Sequence, residues 1–97
     1  MTAEYRTVVL LPGLDGTGDL FQPLVDTAPP DVRPLVVKLP HLGSYADLLD
    51  AIRDQLPDGR FIILGESFSG PLALQIAREL PERVTAVILC NSFVSRR

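Results

Sequence analysis

The chain lacks a second cysteine, so Cys90 has no internal partner for a disulfide, and a reducing cytoplasm is the expected setting. Cys90 closes an apolar run and is expected to be a buried small hydrophobe. No apolar run approaches the roughly 20 residues that a membrane-spanning helix needs. The N-terminus carries Glu4 and Arg6 instead of a basic segment followed by an apolar one, so no secretory leader is expected. Basic residues are scattered apart from Arg96-Arg97, and the net charge is −3, which excludes the basic stripe a nucleic-acid partner would want. Low-complexity tracts, linkers and internal repeats are missing as well. Histidine occurs once, at His41, and none follows Ser67.

What is present fits one small globular domain. The length is 97 residues, and 46% hydrophobic against 22% charged is too apolar for disorder. The most informative stretch is Arg60 to Leu74. An apolar run, Phe61 to Leu64, enters a cluster of small residues, and an apolar helical pattern leaves it. The turn, Gly65-Glu66-Ser67-Phe68-Ser69-Gly70, has the G-x-S-x-small-Gly pattern of a nucleophile elbow. Swinging a serine hydroxyl clear of a strand end forces its backbone into a sparsely populated conformation. Strand and helix then pass so closely that the residues two before and two after must be small. Gly65 and Ser69 meet that demand, Ser69 as a mild departure from a strict glycine. The helix start also aims free N–H groups at Ser67.

The rest of the chain supplies context. Arg6 to Leu11 is a continuous apolar run suited to a strand buried on both faces. Pro12 to Gly18 breaks it with three glycines in seven residues. Asp19 is expected to cap a short helix, with Gln22 three residues on, Pro23 in its first turn, and Pro29-Pro30 ending it. A second strand is expected over Arg33 to Leu39. Ser44-x-x-Asp47 resembles a capping box, followed by a helix with Tyr45, Leu48, Leu49, Ile52 and Leu56 on one stripe. The elbow helix carries Leu72, Leu74, Ile76, Ala77 and Leu80 and stops at Pro81. Val84 to Leu89 is the fourth strand. The expected fold is therefore α/β, a parallel four-stranded sheet with helices on both faces. The glycine loop and the elbow can converge on one site only if their strands are neighbours, which predicts the order 2-1-3-4.

With these residues in place, the chain resembles the α/β-hydrolase superfamily along its whole length. Leu11-Pro12-Gly13-Leu14-Asp15-Gly16-Thr17-Gly18 is similar to the oxyanion loop in the form found in phytyl ester synthase-like and related bacterial hydrolases. Pro12 stands where other branches carry His. Leu39 to Ser44 resembles the superfamily's D-x-P-G-x-G-x-S turn. The resemblance implies a serine hydrolase or acyltransferase acting on carboxylic esters or thioesters. Ser67 would form the acyl-enzyme, and the N–H groups of Leu14 and Phe68 would form the oxyanion hole. Gly13, Asp15 and Phe68 are the substrate-contacting candidates; no cofactor or metal is implied. Asp15 either organises the loop through backbone N–H groups or is a solvated loop acid. Phe68 either lines an acyl pocket or only packs. Glu66 flanks the elbow where an acid suits the helix dipole.

A serine hydroxyl needs a base, and the base an orienting acid. After Ser67 the chain offers only Glu79 and Glu82, both at or beyond the far end of the elbow helix and read as solvated charges. His41 falls in the loop that the resemblance assigns to a structural turn; that loop opens on the active-site edge, so His41 stays as the minor alternative for the base. Residues 1–97 therefore read as the amino-terminal half of a hydrolase domain, a truncated core that is inactive by itself. Val84 to Leu89 would be a long, flat, uncharged edge, which predicts self-association. A chain this short also buries only about 60–65% of its unfolded surface. The alternative is a non-catalytic α/β interaction module, or half of an oligomeric assembly. A nucleotide-binding loop is disfavoured, because Gly13-x-x-Gly16-x-Gly18 has neither dinucleotide nor P-loop spacing, and Asp15 and Asp19 would repel phosphate.

Overall fold

The computed structural model describes residues 5–13, 17–40 and 43–92. Its strands are β1 (Arg6–Leu11), β2 (Val32–Val36), β3 (Phe61–Glu66) and β4 (Val84–Cys90). They form one sheet in the order β2-β1-β3-β4, and every neighbouring pair is parallel. The expected order 2-1-3-4 is therefore the observed one. The connections carry helices α1 (Gln22–Asp26), α2 (Tyr45–Gln55) and α3 (Ser69–Glu79).

The apolar runs serve both faces because successive strand side chains point to opposite sides. Val9, Leu11, Phe61 and Ile63 face α2 and α3 and pack with Leu49, Ile52, Leu72, Ala73 and Ile76. Leu10 and Leu64 face the other way and pack with Phe21, backed by Val25 of α1. Helix α2 begins with a complete capping box: Asp47 N–H donates to Ser44 Oγ at 3.1 Å, and Ser44 N–H donates to Asp47 Oδ2 at 3.0 Å. Of its expected stripe, Leu49 and Ile52 are buried, and Tyr45, Leu48 and Leu56 are half-buried against the same core.

Several expectations are corrected. Asp19 does not cap α1. It opens a short 3-10 helix, Asp19–Phe21, whose preceding residue, Gly18, sits at φ 82°. Gly18 passes so close to β2 that a Cβ on it would lie 2.1 Å from Val36 Cγ1. The chain can turn there only as glycine, and Thr17 Oγ1 takes the Asp19 N–H at 3.2 Å. Gln22 bonds forward to Asp26 instead of back to a cap.

The second strand is shorter than Arg33 to Leu39. Val37 N–H still donates to the Leu10 carbonyl at 3.0 Å. Beyond it, the Gln55 side chain accepts from Lys38 N–H at 2.9 Å and donates to the Lys38 carbonyl at 2.7 Å. A glutamine thus stands in for the missing strand partner.

Cys90 is exposed, not buried. It lies on the edge strand β4, on the face occupied in the middle of the sheet by the α1 side. Its neighbours there, Ala86 and Ile88, are exposed too. The fourth strand is also less flat than expected. The pairing passes from Phe61↔Val84 to Ile62↔Ala86, so Thr85 is an extra residue in a bulge.

Candidate active site at the carboxyl edge of the sheet

Strands β1 and β3 are hydrogen-bonded neighbours, with Leu11 opposite Gly65. The chain leaving β1 and the elbow leaving β3 therefore emerge side by side. Ser67 sits between β3 and α3 with φ 55°, one of two non-glycine residues with positive φ among those described. A serine in this left-handed region costs backbone energy of order 1–2 kcal/mol per residue, so something must hold it there.

The surroundings supply that hold. Ser67 N–H donates to the Cys90 carbonyl at 3.0 Å, prolonging the β3–β4 ladder by one rung. The Ser67 carbonyl accepts from Gly70 N–H at 3.2 Å and from Ser92 Oγ at 2.5 Å. With both backbone groups engaged, the corner is fixed while the side chain stays half-exposed. Close approach of strand and helix is equally direct. A Cβ on Gly65 would lie 2.6 Å from the Ser69 carbonyl oxygen and 3.0 Å from Gly70 Cα.

Gly13 lies against the elbow, and a Cβ on it would fall 3.3 Å from Ser67 Cβ and 3.2 Å from Glu66 Oε1. Gly13 N–H donates to Glu66 Oε1 at 3.0 Å. The fully buried Ser69 hydroxyl donates to the Pro12 carbonyl at 2.5 Å. Sequence reasoning missed both contacts, as well as the Ser92 hydroxyl on Ser67. It read Ser69 for size and Glu66 for charge, whereas each also has a donor or acceptor that the adjoining strand end needs. The available signal was a polar residue at the end of β3, at the start of α3 and just past the end of β4.

Phe68 occupies the cap position of α3, and its ring is half-buried against the core under α2 and α3. Leu14, Asp15 and His41 lie outside the described residues. Glu79 and Glu82 are not brought to Ser67. Glu79 ends α3, about 15 Å along the helix by its rise, and is not merely solvated. Arg53 Nη2 holds Glu79 Oε2 at 2.6 Å and Arg53 Nε holds Oε1 at 2.8 Å, tying α2 to α3. Those bonds, with one from Gln75, pull the Glu79 carboxyl below its usual range to about 2. A hollow of about 240 Å³ lined by Tyr5, Arg6, Thr7, Arg60, Phe61, Ile62 and Thr85 opens at the opposite, amino-terminal edge of the strands, away from Ser67.

A parallel sheet ordered β2-β1-β3-β4 with a serine at a left-handed strand-to-helix corner is the core of an α/β hydrolase. The sequence profile of the alpha/beta hydrolase fold matches residues 38–96, and the chain belongs to that family. It is also similar to N-(5-amino-5-carboxypentanoyl)-L-cysteinyl-D-valine synthase of Amycolatopsis lactamdurans, with 30% identity over 103 residues. That likeness covers 95% of this chain and 3% of the synthase, so the chain spans a small part of that relative's length.

Proposed function

We propose that Ser67 is the nucleophile of a serine hydrolase or acyltransferase acting on carboxylic esters or thioesters. The observation that carries this reading is the Ser67 backbone at φ 55°, half-exposed, with the Gly13 backbone against its side chain. The Oγ attacks the acyl carbon, its proton passes to a base, and the carbonyl oxygen becomes an oxyanion. Collapse breaks the bond to the leaving oxygen or sulfur, which takes the proton back from the base and departs as the alcohol or thiol, leaving the acyl group on Ser67. The Phe68 N–H, at the start of α3, and the Leu14 N–H are the proposed oxyanion donors. A helix start suits the first of these, because the opening N–H groups of a helix have no partner within it.

The base and its orienting acid are proposed to come from outside residues 68–97, because that stretch has no histidine, its Glu79 is committed to Arg53, and its one other acid, Glu82, lies beyond the far end of α3. On this view the chain is the nucleophile half of a hydrolase domain. Its unpaired Cys90 suits a reducing compartment such as the cytoplasm. Among the described residues, no helix is long and apolar enough to cross a membrane.

A fluorophosphonate probe with mass-spectrometric mapping tests the reading. The 97-residue chain should label slowly or not at all, and a longer protein carrying a downstream histidine should label rapidly at Ser67 and not after Ser67→Ala. Rapid labelling of the short chain, abolished by His41→Ala, would move the base to His41. A longer protein that never labels at Ser67 would overturn the assignment.

A further inference from the structure

The geometry points to Glu66 and Ser69 as a pair of positioning residues that lock one peptide unit, Pro12–Gly13, and thereby set the direction in which the glycine loop leaves β1. The two contacts fall on the two ends of the same peptide plane. Ser69 Oγ donates to its carbonyl, that of Pro12, at 2.5 Å. Glu66 Oε1 accepts from its N–H, that of Gly13, at 3.0 Å. In a trans peptide the C=O and N–H point in opposite directions, so a group on each side prevents the plane from turning about its flanking bonds. One holder alone would leave the other end free to swing.

Both holders come from the elbow: Glu66 is the last residue of β3 and Ser69 the first of α3, directly flanking Ser67-Phe68. The elbow and the loop are therefore keyed to each other by side chains separated by two residues. The serine at position 69 also acquires a purpose. Glycine or alanine would satisfy the spacing against Gly65, but neither could reach the Pro12 carbonyl. Ser69 and Pro12 are fully buried, where an unmatched carbonyl is costly, and the carboxylate on Gly13 N–H gives the stronger, charge-assisted kind of bond. The functional consequence rests on the acyl-transfer reading: the amide following this plane, that of Leu14, is one of the two proposed oxyanion donors.

Amide hydrogen exchange and amide chemical shifts test the lock without requiring catalysis. In Glu66→Ala, Gly13 N–H should exchange about tenfold faster than in the parent, relative to the core amide of Ile63 in the same sample. Glu66→Gln, which keeps an acceptor oxygen in place, should restore most of the protection. Ser69→Ala should accelerate Gly13 exchange although it touches the other end of the plane, and should shift the Leu14 amide resonance. Gln55→Ala, which frees Lys38 far from the elbow, should leave Gly13 and Leu14 unmoved relative to Ile63. Gly13 exchange that only follows Ile63 in the Glu66 and Ser69 variants would overturn the lock. In a longer protein that labels at Ser67, both alanine variants should slow the bond-forming step about tenfold with probe affinity unchanged, and Glu66→Gln should be close to the parent. A lock established by exchange in a protein whose Ser67 never reacts would sink the acyl-transfer reading and leave the lock standing.

Discussion

Gly65 shows how a single hydrogen atom can decide whether a corner exists. A Cβ in its place would point at the Ser69 carbonyl oxygen and carbon, 2.6 and 2.9 Å away. Those are backbone atoms of the helix start and cannot swing aside as a flexible side chain would. Gly65→Ala is expected to push α3 off the sheet at about 1–3 kcal/mol or more, a large fraction of the stability of so small a domain. Gly59 is the contrast. It sits at φ 78°, but a Cβ there would meet nothing within 4 Å, so Gly59→Ala should cost only the left-handed strain, roughly 1–2 kcal/mol. Urea titrations of the two variants check the difference: equal losses would mean that the strand–helix clearance is not what Gly65 provides. The need for small residues at 65 and 69 was legible from the spacing alone. The bond from Ser69 to Pro12 was not, because the sequence does not say which carbonyl a buried hydroxyl will find 57 residues away.

Elements were legible where a local rule and the tertiary fold agree. Ser44 and Asp47 announced the start of α2 because a capping box is completed within four residues. The same rule failed at Asp19, where the close approach of Gly18 to Val36 admits only a left-handed glycine at the cap position, and the Asp19 N–H goes to the Thr17 hydroxyl. Glu79 is a similar case: its partner Arg53 lies 26 residues away on another helix, so sequence alone left it a solvated charge. The pairing has a pH signature. The Glu79 carboxyl is held down to about 2 in the folded chain, first by the Arg53 bond, and returns to an ordinary value of about 4.3 when the chain unfolds. A depressed folded value means that the contribution is fully present above the unfolded value and is lost as pH falls towards the folded one. The parent should therefore be more stable than Glu79→Gln at neutral pH, and the gap should close between about pH 4 and pH 2. Denaturation midpoints of both proteins across that range check it; a gap that does not change with pH would show the α2–α3 tie to be packing, not charge.

At the scale of the whole molecule, the two edges of the sheet are managed differently. The β2 edge carries Pro34, which leaves no donor at that position of the open row, and Arg33, whose guanidinium lies 3.8 Å over the Tyr5 ring. The β4 edge has no proline or charge from Val84 to Cys90. Its bulge at Thr85 disturbs only the beginning, and Ala86 to Cys90 pair in unbroken register with β3. One face of β4 leans on α3, but α1 has five residues and reaches only the Leu10 and Leu64 side of the other face. Ile88 is left 45% exposed on that face, and Leu89, on the α3 face, is 36% exposed, both beside an open row of backbone groups. Strand addition satisfies such a row and covers such side chains together, so the chain is expected to associate through β4 as concentration rises. Ile88→Lys places a charge on that face, at a residue already 45% exposed, and it should shift the population towards monomer in light scattering after size exclusion. A sharp, stable dimer in the parent would favour an assembly-forming module, whereas a broad, growing distribution abolished by Ile88→Lys would mark an unprotected edge. Association that the lysine leaves untouched would place the contact elsewhere on the surface.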